Sequence, residues 1–386
     1  MPDRRKALPA ILSTIFLISA LLVPAGAGAA GPKAATQPDT GKVDLYEATV
    51  STALVQQIIE GGFDVVDVQL LANEQARITL ALKPNERMAV RKMGVTLVLW
   101  RNDNGLTATQ LAKQQTSAGF KVWRDNDGPD GLEAYAHAIA GANPDLLKLE
   151  VIGQTHGTNP NGVPGSSDDT PRDIIALQLT VGGDGLAGGQ KPAVLYNSLQ
   201  HAREWIGGEV NRRLLEWYIK RYREGDPKII SLLQTTELWF VLVTNPDGYQ
   251  YTFSEGNRLW RKNLRDNDEN GIINGLDGVD PNRNFPEHWG WDDDGSSPLI
   301  SSETYRGPSA ASEPETQAII NLYDQVDFVF HVNWHSVGQW LLYGLGAIMD
   351  TPTADDPIFV ALSGTDKQPA IPGFNPGLSS SELYVT

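Results

Sequence analysis

The sequence predicts two folded units: a small α+β domain of ferredoxin-like type over residues 43–100, and a large α/β domain over 118–386. The large unit is expected to carry a mixed, mostly parallel sheet flanked by helices. Three observations carry this reading. Between Val43 and Trp100 the apolar pattern changes period in the order βαββαβ. Beyond residue 118 strand and helix patterns alternate. Between them the polar run RNDNGLTATQLAKQQTSAG reads as a linker over 101–117.

In the first unit, VDLYEATV reads as a strand and STALVQQIIEGG as a helix stopped by glycines. FDVVDVQLL and ARITLALK form two strands across the turn-like ANEQ. KPNERMAVRKMG reads as a helix with Pro84 near its start, and VTLVLW as a last strand. This arrangement hosts many functions and specifies none. It presents no catalytic residue set.

In the second unit the expected order is helix DGLEAYAHAIAGANP, strands LKLEVIG, DIIALQLTV and AVLYNSLQ, then the long helix WIGGEVNRRLLEWYIKRYREGDP. Strand LWFVLVT, helix SEPETQAIINLYDQ and strands VDFVFHV and QWLLYG follow. The run THGTNPNGVPGSSDDTP, rich in Gly, Pro, Asn and Ser, reads as a surface insertion.

Residues 1–30 show a charged start at Arg4, Arg5 and Lys6, an apolar stretch from Ala7 to Val23 and the small-residue tail PAGAGAA. That order is expected of a secretory signal rather than a membrane anchor, because the apolar stretch is barely long enough to span. Residues 31–42 read as a short disordered spacer. The chain holds no cysteine, so the exported fold is expected to stand without disulfides. A net charge of −16 and the lack of a basic stripe argue against a nucleic-acid partner. After signal removal no membrane partner is expected, and a monomer is.

The stretch NSLQHAREWIGGEV places His201 and Glu204 on a strand-to-helix turn, where α/β folds carry their chemistry. A catalytic zinc takes three protein ligands from His and carboxylate side chains and keeps a fourth place open. His335, just past VDFVFHV, is the third candidate. H-x-x-E alone is weak, since surface helices often carry His and Glu three apart. His137, His156, His288 and His331 receive structural readings, on a helix, in loops and on a buried strand.

The stretches HARE, NRLWRKN, GVDPNRNF, YRGPSAASEPET and WHSVGQ, in that order, resemble the zinc carboxypeptidase family of pancreatic and bacterial secreted metallocarboxypeptidases. The resemblance runs from about residue 118 to the last residue, and the first unit is similar to the propeptides of such enzymes. It implies the zinc carboxypeptidase fold and one zinc per chain, held by His201, Glu204 and His335. It further implies that Arg261 polarises the scissile carbonyl, while Asn282 and Arg283 grip the C-terminal carboxylate of a peptide or protein substrate. The residue types agree, because guanidinium is a permanently charged planar fork suited to carboxylates and to a developing oxyanion.

DNDENGIINGLD sets Asp266, Asp268, Asn270 and Asp277 at the spacing of a calcium loop and is a candidate second cation site, against which stand the shorter Asp in the last place and the lack of flanking EF-hand helices. The resemblance also implies a general-base glutamate and a closing tyrosine well beyond His335. SSSELYVT resembles the segment leading up to them, so Tyr384 is not assigned that role and the domain reads as truncated at its C-terminus. Three functions follow: a secreted zinc carboxypeptidase, a cell-wall peptide carboxypeptidase, and an inactive zinc-containing peptide binder lacking the base.

Overall fold

The computed structural model describes residues 43–117, 123–157, 170–187, 191–293, 295–336, 353–365 and 368–370. The expected signal, the spacer, most of the Gly- and Pro-rich insertion, the strand QWLLYG and the segment holding Tyr384 lie outside the described residues.

The N-terminal unit runs β1 (Asp44–Ser51), α1 (Thr52–Glu60), β2 (Asp64–Leu71), β3 (Gln75–Leu82), α2 (Pro84–Lys92) and β4 (Val98–Leu99). Its antiparallel sheet has the order β2-β3-β1-β4. Ser51 caps α1 by accepting from the Leu54 amide at 3.3 Å. Asn73 and Glu74 adopt φ of 60° and 54°, which closes the tight hairpin between β2 and β3. Pro84 opens α2, and Glu86 accepts from the Lys83 amide at 2.8 Å. Ile58, Ile78, Leu80 and Val90 are buried in the core beneath the sheet. The last strand is shorter than VTLVLW suggests. Only Leu99 and Val98 pair with β1, although Val95 and Leu97 still reach the core.

The expected linker contains a helix, α3 (Ala108–Ser117). Thr107 and Gln110 cap each other's backbone amides at 3.1 and 3.0 Å, a reciprocal box concealed in a polar run. Ala108 and Ala112 are buried, so the segment packs rather than merely spans.

The large unit runs α4 (Leu132–Ala142), β5 (Leu147–Gln154), β6 (Asp173–Leu179), β7 (Ala193–Ser198), α5 (Trp205–Arg223), α6 (Pro227–Thr235) and β8 (Glu237–Val241). It continues through α7 (Pro246–Tyr251), α8 (Pro314–Gln325), β9 (Phe328–Trp334) and α9 (Asp356–Ser363). The five-stranded sheet has the order β5-β6-β8-β7-β9 and is mixed: β7 pairs in parallel with β8 and β9, whereas β6 pairs antiparallel with β5 and β8. The Asp226 and Pro227 pair that ends the long helical pattern is a start signal as well, because Asp226 caps α6 at Pro227.

Both faces of the sheet are buried, which explains the unbroken apolar strands. Leu177, Leu179, Leu238 and Phe240 face one side with Leu132, Leu215 and Trp205. Ile174, Ala176, Leu195, Trp239 and Val241 face the other with Ile319 and Leu322 of α8. From β7 the chain passes to β8 on one side and later crosses to β9 on the other. That reversal makes the C-terminal end of β7 a topological switch point, where open α/β sheets form their crevices. No helix among the described residues is long and apolar enough to cross a membrane.

Candidate metal centre

The register of β7 and β9 sets the site. Ser198 pairs with Trp334, so the two neighbouring strands end level, and His201 and His335 follow within three residues of those ends. Beyond Ser198 the chain turns sharply at Leu199, a buried residue with φ of 56°. Such a conformation strains a non-glycine residue, and here the surroundings hold it. The Thr244 and Asn245 amides donate to the Ser198 and Leu199 carbonyls. The Asn245 side chain donates to the Gln200 and Lys262 carbonyls, both at 3.1 Å, tying the His201 loop to the loop carrying Arg261.

His201 Nδ1 stands 2.7 Å from Glu204 Oε1, His335 Nδ1 stands 2.9 Å from Glu204 Oε2, and the two Nδ1 atoms are 3.2 Å apart. Tetrahedral zinc ligands at about 2.1 Å from the metal stand on the order of 3.4 Å from one another, so this cluster, drawn somewhat closer than that, is compatible with the ion. The donor types fit as well. Burial alone would raise the Glu204 carboxyl, but the two imidazoles beside it hold it well below the usual carboxylate range. Burial also lowers His335, which favours the neutral ring a metal needs.

Asp280 lies behind the site. Its Oδ1 is 3.3 Å from His201 Nε2, a charge contact rather than a well-formed hydrogen bond, and it accepts from the Asn282 amide at 2.9 Å. Its Oδ2 accepts from Nε and Nη2 of Arg261 at 3.0 and 2.8 Å. Despite complete burial, the Arg261 guanidinium above all holds the Asp280 carboxyl far below its ordinary value. Arg261 is thus brought to the metal centre through a shared aspartate.

Asn282 and Arg283 occupy the short turn Pro281–Arg283 that Asp280 caps. Arg283 donates to the Gly295 and Asn282 carbonyls at 2.7 and 3.0 Å. Two further guanidiniums escaped the sequence reading. Arg203, between His201 and Glu204 in sequence, is half-buried, and Arg258 lies 3.7 Å over the Trp205 ring while donating to the Arg203 carbonyl at 2.8 Å. Burial draws Arg258 down to about 10. The Asp before Pro281 in GVDPNRNF was the available signal for Asp280; nothing local marked Asn245.

The N-terminal unit reaches into this cationic rim. Asp64, at the start of β2, meets Arg203 Nη2 at 2.5 Å and lies 3.8 Å from Arg261 Nη1.

Other candidates lie elsewhere. His331 is satisfied within the sheet by Asn197 at 2.6 Å and Tyr323 at 2.8 Å. His156 pairs with Glu313 at 3.2 Å, and His288 stacks on Trp291. Asp266, Asp268 and Asp277 gather within 4.8 Å, but their oxygens accept backbone amides of Asn267, Asn270, Gly271 and Asn274. Those bonds close the loop by themselves, and nothing beyond the acidic cluster supports calcium there.

The chain is 32% identical over 249 residues to a metallocarboxypeptidase A-like protein of Trichophyton verrucosum, covering 62% of this chain and 56% of that one. It is 31% identical over 226 residues to zinc carboxypeptidase A 1 of Drosophila melanogaster, covering 58% and 46%. It therefore spans about half the length of these curated relatives. In three dimensions it resembles carboxypeptidase A from Helicoverpa armigera, with a TM-score of 0.61 at 21% identity over 85% of this chain and 78% of that one, which bears on the fold alone. The sequence pattern defining the zinc carboxypeptidases matches residues 132–370 and takes in the whole His201, Glu204 and His335 centre, Asp280 and the arginine rim. The chain belongs to the zinc carboxypeptidase family.

Proposed function

We propose that the protein is a secreted, monomeric zinc metallocarboxypeptidase that acts on the C-terminal bond of peptides or proteins. The observation that carries this is the joining of a zinc-type donor set to Arg261 through Asp280, at the switch point of the sheet. His201, Glu204 and His335 would hold the ion, which when bound would supply Lewis acidity and a water of lowered pKa.

The chain's own residues do the remainder. Asp280 fixes the His201 ring and aims Arg261, so that a carbonyl oxygen gaining negative charge meets a cation already in place. Arg283 and Asn282, one turn away, take the substrate's terminal carboxylate, which restricts cleavage to chain ends. The buried rim excludes water and strengthens each of these charge contacts. No general base is assigned among these residues.

The N-terminal domain is read as a cover that keeps this site latent. Asp64 sets a carboxylate on Arg203 and near Arg261, where the negative groups of a bound peptide are expected. Export rests on the amino-terminal signal pattern at 1–30.

Zinc content tests the reading without requiring turnover. Elemental analysis should find about one zinc per folded chain, lost on chelation and in His201→Ala, Glu204→Ala and His335→Ala. A folded, zinc-grown protein without zinc would overturn the assignment.

A further inference from the structure

Lys83 is a residue of the N-terminal domain, yet its side chain is buried in the large domain, with only 3% of it exposed. Its Nζ lies 2.9 Å from Glu303 Oε1 and donates to the Ser301 carbonyl at 2.8 Å and the Gly275 carbonyl at 3.1 Å. A primary ammonium carries three donors and no acceptor, and three acceptors converge on it here. Glu303 is equally buried, and its partner cations hold it near 2 against the cost of burial.

A second lysine, this one of the large domain, lies near the same carboxylate. Lys262 is also buried beside Glu303, but its Nζ donates to the Ile300 carbonyl at 3.0 Å, and burial together with the Lys83 charge draws it down to about 7. It is a poor standing counter-ion for Glu303 while Lys83 is present. Nor is the placement of Lys83 an accident of a long side chain. Residue 83 follows β3 directly, with Pro84 opening α2 behind it, so its backbone is fixed by a strand on one side and a capped helix on the other. Asp64 faces Ala81 in the register of β2 and β3, so Asp64 and Lys83 sit at the same open end of one hairpin.

We infer that Glu303 with the Ser301 and Gly275 carbonyls forms a primary-ammonium site on the large domain, sharing no residue with the metal centre, whose occupant in the intact chain is Lys83. The site selects an ammonium over a guanidinium, because a planar fork cannot direct its donors at three acceptors gathered round a single nitrogen. It also makes Lys83 the pin by which the N-terminal domain is held. The inference concerns docking and stands whether or not the peptidase reading does.

The test is chemical rescue in the full-length chain. Lys83→Ala removes the ammonium and leaves room for a small amine. Amide hydrogen exchange over 299–305 and 83–92 should speed up about tenfold or more, as expected for stranding a buried charge. Adding ethyl- or n-propylammonium, which match the deleted Cγ–Nζ fragment, should restore protection, while tetramethylammonium, which has no N–H to donate, should not. Lys83→Arg should behave like the alanine variant despite keeping its charge. If Lys83→Ala fails to fold, Lys83→Met fills the slot without charge and gives the same exchange readout, and Glu303→Gln should match it. Unchanged exchange in these variants, or equal rescue by tetramethylammonium, would overturn the inference.

Discussion

Asp280 touches both His201 and Arg261, presenting Oδ1 to the imidazole at 3.3 Å and Oδ2 to the guanidinium at 2.8 Å. One carboxylate therefore stands against a candidate metal ligand and positions a cation. Asp280→Asn keeps the shape but loses the charge, and should weaken zinc binding by roughly 10–100-fold, the usual cost of removing a partner behind a ligating histidine. Competition with a zinc-chelating dye measures this. Unaltered affinity would mean that the metal loop alone fixes the His201 ring.

Arg283→Ala should weaken binding of peptides with a free C-terminus by about tenfold or more, the scale of one lost charge-assisted hydrogen bond, and should hardly change binding of amidated peptides. Titration calorimetry with a matched peptide pair decides it. Equal losses for the two peptides would remove the assigned role.

Much of the fold could be read in the sequence because its signals are local. The alternation of Ile174 and Ala176 with Leu177 and Leu179, or the Ser51 and Pro84 helix starts, need only neighbouring residues. The clustering of His201, Glu204 and His335 was legible because His201 and His335 each follow an apolar strand. Asp64, Lys83 and Asn245 were not, since their meaning comes from partners far along the chain, such as Glu303 for Lys83. Helix α3 was missed for a different reason: its cap residue Thr107 is also common in loops, and it sits in a run that is polar almost throughout.

Stability should fall as the pH drops from about 6.5, through His331. Burial holds this ring down to about 3, and it stays neutral between Tyr323 and Asn197. Its folded pKa lies below the unfolded one, so between about 3 and 6.5 the unfolded chain binds the extra proton and stability rises with pH. The slope from this group is at most about 1.4 kcal/mol per pH unit. Urea unfolding at several pH values should show that slope in the native chain and a smaller one in His331→Gln; matching slopes would exclude this residue as the cause.

Cutting the chain between Arg101 and Gly119, then separating the fragments, should raise the affinity of the large domain for peptides with a free C-terminus. Asp64→Ala should do so in part without a cut, because it withdraws the carboxylate from Arg203 and Arg261. Fluorescence anisotropy with a labelled peptide follows both. An uncut native chain that binds as tightly as the cut one would show that the N-terminal domain does not occlude the site.

The hairpin end that carries Asp64 and Lys83 presents a negative and a positive group side by side, against Arg203 and Glu303 in the reverse order of sign. Docking in that orientation cancels both charges and leaves the chain's overall −16 unchanged. Docking turned end for end would bring Lys83 toward Arg203 and Asp64 toward Glu303, two repulsions in a dry interface. The polarity of two residues thus favours one seating of the whole domain over its reverse.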